Sequence, residues 1–424
     1  MLLPQLNKYF SKINNKNNPT RKILLTLFIL LIFRFGNTIP LAGIDQDALK
    51  KSFLELQNKN QLMQIINMYS GGGGSTILSP FSLGIIPFIN ASILIDLLTA
   101  VFPTLEKLQS EEGEFGRKKL MFYKKSLTLV FAVIQSIFLV IYLKSYFYST
   151  DIFQLGTIIL ELVTSTMLTV WLSNVIDNQG IGNGTSLIIF TNIVITLIGK
   201  NFFSTQTINT LFFIEILFLL FLLVLICISQ TARINIEVVS ARQLAFLENV
   251  QEENVSKQFV SSLLTPENGL SIKLNQAGIF PIIIASNLIP FFSLFTDSFL
   301  GNFKIITTFF YYFLIVGFNY FYTTIFWDPE KISEQLRKAS VSIVNVTPGK
   351  DTVLYLENVV KASSLVGGIL LCCILFFYDF FKSIINGYLL NQINISSLII
   401  LVGVGFEIQK NIRSLYKNYL DSSL

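Results

Sequence analysis

Histidine is absent from this 424-residue sequence, and charged side chains make up only 13% of it. Without histidine, the chain has neither a His-based zinc site nor an imidazole general base. It also lacks the GxxxxGK[ST] phosphate-binding loop, so we expect no ATP hydrolysis by the chain itself. Its three cysteines, Cys227, Cys372 and Cys373, all lie in apolar runs, where reduced packing residues are expected. These absences argue against an enzyme, a metal site and a bound cofactor.

Apolar residues are abundant instead: 52% of the sequence is hydrophobic, and 40 residues are phenylalanine. A helix of about 20 apolar residues crosses the hydrocarbon core of a membrane. Ten runs are candidates for such helices, near residues 23–41, 77–101, 126–147, 153–174, 185–199, 208–229, 275–295, 304–326, 362–380 and 393–409. The third and fourth runs are close enough in sequence to form an antiparallel hairpin. The sequence therefore predicts an all-α polytopic membrane protein with ten transmembrane helices.

Positive charge is divided unequally between the loops. The N-terminus and the even-numbered loops, which we call side A, hold 23 Lys and Arg residues, whereas the odd-numbered loops hold 7. Cytosolic loops carry the excess of positive charge in membrane proteins. Side A is therefore predicted to be cytosolic, or stromal in a plastid, with both termini on that side.

Two side-A loops, 230–273 and 327–361, are too long to be simple connectors. The first contains "ARINIEVVSA", whose alternation predicts a strand or hairpin, and the second contains a helix expected to open at Asp328-Pro329. We expect the loops to form a soluble docking platform; variable surface insertions are the alternative. The predicted divisions are an N-terminal segment 1–22, five-span halves 23–200 and 201–410, and a C-terminal tail 411–424.

The stretch "SGGGGSTILSPFSLGIIPFINAS", residues 70–92, interrupts the chain at the second apolar run with four consecutive glycines, Gly71 to Gly74, and with two prolines. Irregular backbone at membrane depth is tolerated only where it is buried in protein or lines a water-filled cavity. The seventh run is interrupted similarly by Pro281 and Pro290. Broken helices at equivalent places in two five-span halves suit an inverted structural repeat, and they suit both a pore and a secondary transporter.

At this point the sequence resembles a known family, the SecY channels of the Sec protein translocase. The resemblance lies in "FSLGIIPFINASILIDLLTAVFPTLEKLQSEEGEFGRKK", "DNQGIGNGTSLIIF", "IKLNQAGIFPIIIAS", "WDPEKISEQLRKAS" and "SSLIILVGVGFEIQK". These segments occur in order along nearly the whole chain. The resemblance implies two pseudo-symmetric five-helix halves around a central pore, with a short re-entrant plug helix. The implied function is to thread unfolded polypeptides across a membrane and to release apolar segments sideways into lipid.

The resemblance also implies roles for particular residues. A ring of side chains closing the pore is expected at Ile85, Ile89, Ile189, Phe280 and Ile400. The plug and its hinge, within residues 61–74, are expected at Met63, Ile65, Ile66, Met68, Gly71, Gly72, Gly73 and Gly74. The lateral gate is expected at Asn90, Asp96, Ser286 and Asn287. Docking contacts for a partner are expected at Arg242, Lys331, Arg337 and Lys338.

Simpler interpretations of these residues stay open. The ring positions would otherwise be ordinary packing residues, and the docking positions solvated surface charge. Asp96 is either a partly buried acid kept neutral by desolvation or an ionised group near a wet funnel. Phe280 replaces a usually aliphatic residue, Thr347 stands where the family usually has arginine, and the tip of the 230–273 loop is acidic.

The resemblance implies partners: SecE, often SecG, the SecA motor ATPase or a ribosome, precursor polypeptides and membrane lipid, with no direct nucleic-acid ligand. The bias towards Asn, Lys, Ile and Phe is typical of an AT-rich coding genome. It favours a plastid-encoded thylakoid protein, with a bacterial plasma-membrane protein as the alternative. A secondary transporter remains the alternative function, although the sequence offers mainly Asp96 and amide side chains as mid-membrane polar groups.

Overall fold

The fold is described from a computed structural model for residues 19–48, 78–110, 112–149, 151–199, 210–240, 270–286, 288–289, 304–344, 346–385, 390 and 394–421. Helices dominate it. The longer ones are α1 (Pro19–Asn37), α2 (Ile86–Val101), α3 (Pro103–Ser110), α4 (Gly113–Tyr142), α5 (Ile152–Gln179), α6 (Gly184–Gly199), α7 (Thr210–Thr231), α8 (Lys304–Phe326), α9 (Pro329–Lys338), α10 (Lys350–Ile385) and α11 (Ile395–Asp421). Single 3₁₀ turns lie at Pro80–Leu83 and Lys144–Tyr146.

These helices follow the predicted apolar runs. Within the described ranges, seven helices are long and apolar enough to cross a membrane. Helix α1 also occupies a predicted span but carries Arg21, Lys22 and Arg34, and α6 has only 16 residues. The seventh predicted span is helical from residue 280, but most of its second half lies outside the described ranges. The polytopic helical class is confirmed, whereas the count of ten stays a prediction.

The chain divides into two compact units. Unit 1 comprises Met1–Thr207 with Ile400–Leu424, and unit 2 comprises Ile208–Ile399. In unit 1, a buried apolar cluster joins the loop after α1 to the ends of α4 and α5, through Leu41, Ile44, Leu78, Leu83, Val140, Leu143, Ile158 and Leu162. A second cluster packs α2, α3 and α4 together through Ile95, Leu108 and Leu120.

Unit 2 contains the two long side-A loops, which pair with each other. Strand β1 (Arg233–Ile236) pairs antiparallel with β3 (Leu270–Lys273), and β2 (Val238–Ser240) pairs antiparallel with β4 (Val341–Ile343). The predicted strand in "ARINIEVVSA" is present, but as two strands that pair elsewhere, so the local hairpin is wrong. The sheets cover a buried cluster of Ile236, Ile272, Ile343, Leu356 and Val360. Because β2 and β4 come from different loops, the loops form one folded body.

The "DNQGIGNGTS" motif forms the tight turn between α5 and α6. The Asp177 carboxylate accepts a hydrogen bond from the Gly184 amide at 2.7 Å, which satisfies a free N–H at the start of α6. A methyl group on Gly184 would lie 2.3 Å from the Ser173 carbonyl oxygen. The turn therefore needs glycine at this position because two backbones approach closely there.

Gly184→Ala is expected to destabilise the protein by about 1–3 kcal/mol, because the added methyl group overpacks a rigid backbone contact. The control is Gly156→Ala, at an exposed position of α5 where a methyl group would meet nothing within 4 Å. That change should stabilise the helix by about 0.5–1 kcal/mol. Thermal unfolding in detergent measures both, and equal midpoints for the two variants would contradict the close approach at Gly184.

Candidate pore, gate and docking site

The second span begins with an interrupted backbone. Residues Pro80–Leu83 form one 3₁₀ turn, and Gly84 then adopts φ 53° and ψ −133° before α2 begins. Only glycine takes this conformation without strain, so Gly84 redirects the chain. Pro87 lies in the first turn of α2, where proline is tolerated because its missing N–H would have no helical partner. The described part of the predicted interruption, from Pro80 to Gly84, is therefore irregular and turns at Gly84, whereas Gly71–Gly74 lie outside the described ranges.

Packing and hydrogen bonds hold this interruption in place. The Ser165 hydroxyl of α5 contacts the Pro80 carbonyl oxygen within hydrogen-bond distance. The Phe81 ring meets the Phe33 ring of α1 edge to face at 6.0 Å between centroids. A methyl group on Gly36 would lie 2.5 Å from the Phe81 ring, so α1 approaches it closely. The irregular segment is thus buried in protein, as irregular backbone at membrane depth must be.

The expected ring residues have different surroundings. Ile85 precedes α2 and Ile89 follows one turn later, with the Ile89 amide donating to the Ile85 carbonyl at 3.1 Å. Both are buried, as is Ile400, whereas Ile189 is half-buried. These four belong to unit 1. That they close one constriction together with Phe280 stays a prediction.

Phe280 belongs to unit 2 and departs from the aliphatic pattern. Its ring lies parallel to the buried Tyr322 ring of α8, with an interplanar angle of 3° and centroids 6.0 Å apart. The Phe280 side chain is 43% exposed, so one part of it is covered by Tyr322 and another part is open. An aliphatic side chain could not make this ring contact, which gives the departure a local structural reason.

The expected gate residues include one ion pair that the sequence did not indicate. Asp96 of α2 lies 2.8 Å from the ammonium group of Lys124 in α4, with side chains 35% and 23% exposed. The contact connects α2 to α4, and the role of Asp96 in a gate stays a prediction. Lys124 was missed because its pairing depends on how α2 and α4 pack, which no local pattern reveals.

The other gate positions give less information. Asn90 is half-buried on α2. Ser286 donates to the Ile283 carbonyl at 2.9 Å within its own helical segment. Asn287 lies outside the described ranges.

The predicted docking region contains cations that are paired with acidic neighbours. Asp328 caps α9 by accepting from the Glu330 and Lys331 amides, which confirms the predicted helix start. Its carboxylate also lies 3.0 Å from the Lys331 ammonium group, and Lys338 pairs with Glu334 at 2.9 Å.

Three other positions complete the predicted docking region. Arg337 is exposed on α9. The Thr347 hydroxyl donates to the Asp351 carboxylate in the first turn of α10, so the residue that departs from the family pattern makes a local side-chain contact. Arg242 lies outside the described ranges, as do all the predicted plug and hinge residues in 61–74.

Comparison with known proteins identifies the family. The family model for SecY matches residues 79–409. A protein translocase subunit SecY from Pyropia yezoensis is 36% identical over 95% of this chain and 97% of its own length. The SecY of Synechocystis sp. is 30% identical over 93% of this chain and 91% of its own length.

Solved structures share the fold. One described as "The structure of a protein conducting channel" superimposes with a TM-score of 0.64 at 12% identity, covering 93% of this chain and 92% of the other. Sec61 in the canine ribosome-channel complex gives 0.56 at 14% identity, covering 93% and 92%. The secondary-transporter alternative receives no support from these comparisons. The family match over residues 79–409 and the identity along nearly the whole sequence show that the chain belongs to the SecY family.

Proposed function

We propose that the chain threads unfolded polypeptides through a pore in its membrane and releases apolar segments sideways into lipid. It is a protein-conducting channel subunit of a translocase, as its family membership establishes. The observation that best supports a proposed constriction is the break in the helix at Gly84. It places apolar Ile85 and Ile89 immediately after an interrupted, buried backbone. The chain itself makes and breaks no covalent bond in this proposal. The driving energy comes from a partner or a gradient.

The proposed constriction is the ring formed by Ile85, Ile89, Ile189, Phe280 and Ile400. A narrow apolar neck expels water and so blocks ions without a specific binding site. Hydrophobic contact is not directional, so such a neck can fit around chains of different sequence. Residues 61–74 are the proposed plug and hinge that close the pore from the side opposite side A.

The proposed lateral gate runs along α2 and the helical segment that begins at residue 280. Asp96 is its proposed charged residue, and the ion pair of Asp96 with Lys124 connects α2 to α4. Asn90, Ser286 and Asn287 complete the gate surface. A signal or transmembrane segment would leave the pore there and partition into lipid.

The two side-A loops are the proposed docking platform for the SecA motor or a ribosome, through Arg242, Lys331, Arg337 and Lys338. The canine Sec61 channel, with which this chain shares its fold, is part of a ribosome-channel complex. The sheet pairing of β2 with β4 supports a platform over separate insertions. SecE, and SecG where it is retained, are the proposed membrane partners, and no direct nucleic-acid contact is proposed.

The chain is an integral membrane protein, and we place both termini on the cytosolic or stromal side. The excess of positive charge in side-A loops supports this orientation. Relatives in algae and cyanobacteria support a plastid origin. The thylakoid is the proposed membrane, with a bacterial plasma membrane as the alternative.

Deleting residues 61–70 should open the resting channel to ions, because the proposed plug no longer blocks the pore. The measurement is ion conductance across planar bilayers holding wild type or the deletion variant. A sealed wild type and a leaky variant are expected. If both stay sealed and a small solute moves stoichiometrically instead, the channel proposal is wrong.

Ile89→Asn should raise resting conductance several-fold, because an amide lets water remain in an apolar neck. Ile95→Asn is the matched control on the same helix. Ile95 is equally buried but packs with Leu108 and Leu120, away from the proposed ring. Similar leaks from both variants would show that loss of helix packing, and not loss of the ring, opens the channel.

Asp96→Asn should change the export of precursors with weakly apolar signals by up to about fivefold, the range of a partly exposed ion pair. Exchanging the charges with Asp96→Lys and Lys124→Asp together should restore wild-type selection. The measurement is the export ratio of weak-signal to strong-signal precursors. An unaltered ratio in Asp96→Asn would remove Asp96 from the gate.

A further inference from the structure

Leu78 leads the chain into the interrupted start of the second span, and one side chain binds both of its backbone groups. The Leu78 amide donates to Gln46 Oε1 at 3.0 Å, and Gln46 Nε2 donates to the Leu78 carbonyl oxygen at 3.2 Å. The Leu41 amide donates to that same carbonyl at 2.8 Å. The Leu78 backbone is therefore fully hydrogen-bonded by the loop that follows α1.

That loop is itself attached to the rest of unit 1. Two backbone hydrogen bonds, which make up the antiparallel Ile44–Phe147 bridge, hold it to the segment between α4 and α5: Asp45 N to Tyr146 O at 3.0 Å, and Tyr148 N to Gly43 O at 3.1 Å. Leu41, Ile44 and Leu78 are all buried in one apolar cluster. Gln46 thus links Leu78 to a fixed frame.

A short path joins Leu78 to the proposed constriction. Ser79 follows directly, then the 3₁₀ turn Pro80–Leu83, Gly84 and Ile85. Ser165 is the next side chain to bind this path, at the Pro80 carbonyl oxygen. Backbone hydrogen bonds hold the turn together, from Ser82 N to Ser79 O at 3.0 Å and from Gly84 N to Phe81 O at 2.8 Å, so a shift of Leu78 is carried along the turn towards Ile85.

We propose that Gln46 is a positioning residue of the channel: its two hydrogen bonds to Leu78 set the start of the second span and thereby hold Ile85 and Ile89 in the sealed arrangement. The inference rests on the proposed channel function. It adds a residue outside the expected ring, plug, gate and docking sets. Gln46 and Leu78 are 32 residues apart in the sequence, so the contact depends on the fold of unit 1.

The chemistry of the contact suggests a specific variant. An amide side chain donates and accepts at once, which both Leu78 groups require. In Gln46→Glu, an ionised carboxylate can accept from the Leu78 amide but cannot donate to the carbonyl oxygen, and it repels that oxygen. A protonated carboxylic acid has nearly the same shape as the amide and can again do both.

The experiment is resting ion conductance of the full-length Gln46→Glu channel in planar bilayers, measured from pH 8 to pH 4. We expect a leak roughly tenfold above wild type at pH 8, because the Leu78 carbonyl oxygen loses one of its two hydrogen bonds, keeps the one from the Leu41 amide, and faces a carboxylate. The leak should fall towards wild type as the pH drops through the carboxyl range, ordinarily near about 4.3. Methionine has a similar length but cannot make these two hydrogen bonds and does not titrate. Gln46→Met should therefore show a leak that does not change with pH.

Other titratable groups in the surrounding segments could change the leak with pH, and two controls separate their effect from that of residue 46. They are Asp45, Asp47, Lys144, Tyr146, Tyr148, Asp151 and Glu161. Wild type carries all of them, so its pH profile is subtracted. Ala42→Glu adds the same acid at an exposed position of the same loop and should neither leak nor add a pH dependence.

The outcomes separate the inference from the function on which it rests. A pH-reversible leak in Gln46→Glu alone supports the positioning role. A leak that acid does not reverse, or a tight seal in both Gln46 variants, overturns it while precursor-dependent conductance of the wild type still stands. A wild type that never conducts with precursor present removes the channel proposal itself. Thermal unfolding in detergent checks that each variant folds.

Discussion

The backbone cannot leave its N–H and C=O groups unpaired at membrane depth, and this constraint shapes the irregular part of unit 1. A helix meets the constraint by itself, but the second span begins with a single 3₁₀ turn and a glycine in a conformation that no helix contains. The missing hydrogen bonds therefore come from elsewhere in the unit. Gln46 and Leu41 supply them at Leu78, and Ser165 contacts Pro80. The irregular start of the second span is therefore stabilised by hydrogen bonds from the segments that pack around it.

Glycine also allows close contacts between elements, because it has no side chain to keep them apart. Gly36 admits the Phe81 ring against α1, and Gly184 lets α6 start beside the backbone of α5. In unit 2, a methyl group on Gly367 would lie 2.3 Å from the Leu274 carbonyl oxygen. Close backbone approach gives dispersion contacts that lipid tails cannot replace, which is why small residues mark helix contacts in membranes. Both units therefore use glycine at close contacts, at different positions in the chain.

Much of this architecture could be predicted from the sequence, because long apolar runs and the charge imbalance of the loops are properties of the sequence itself. The ordered motifs were sufficient to recognise the SecY family, and the helix start at Asp328-Pro329 was correct. Contacts between distant residues were not predictable in the same way. Nothing near Asp96 points to Lys124, and nothing near Leu78 points to Gln46, since both pairings are set by packing. The strands of "ARINIEVVSA" show the same limit: alternation identified them, but their partners lie in other segments.

The pairing of β2 with β4 also has a consequence for the order in which the protein is made. Ser342 and Val239, which meet across this pair, are separated by 103 residues. Helix α8 lies between them in the sequence, so the second strand emerges from the ribosome only after that span has been synthesised. Contacts between such distant residues form late because a long loop must close first. The body formed by the two side-A loops is therefore completed only when most of unit 2 exists, and a half-made chain lacks this paired surface.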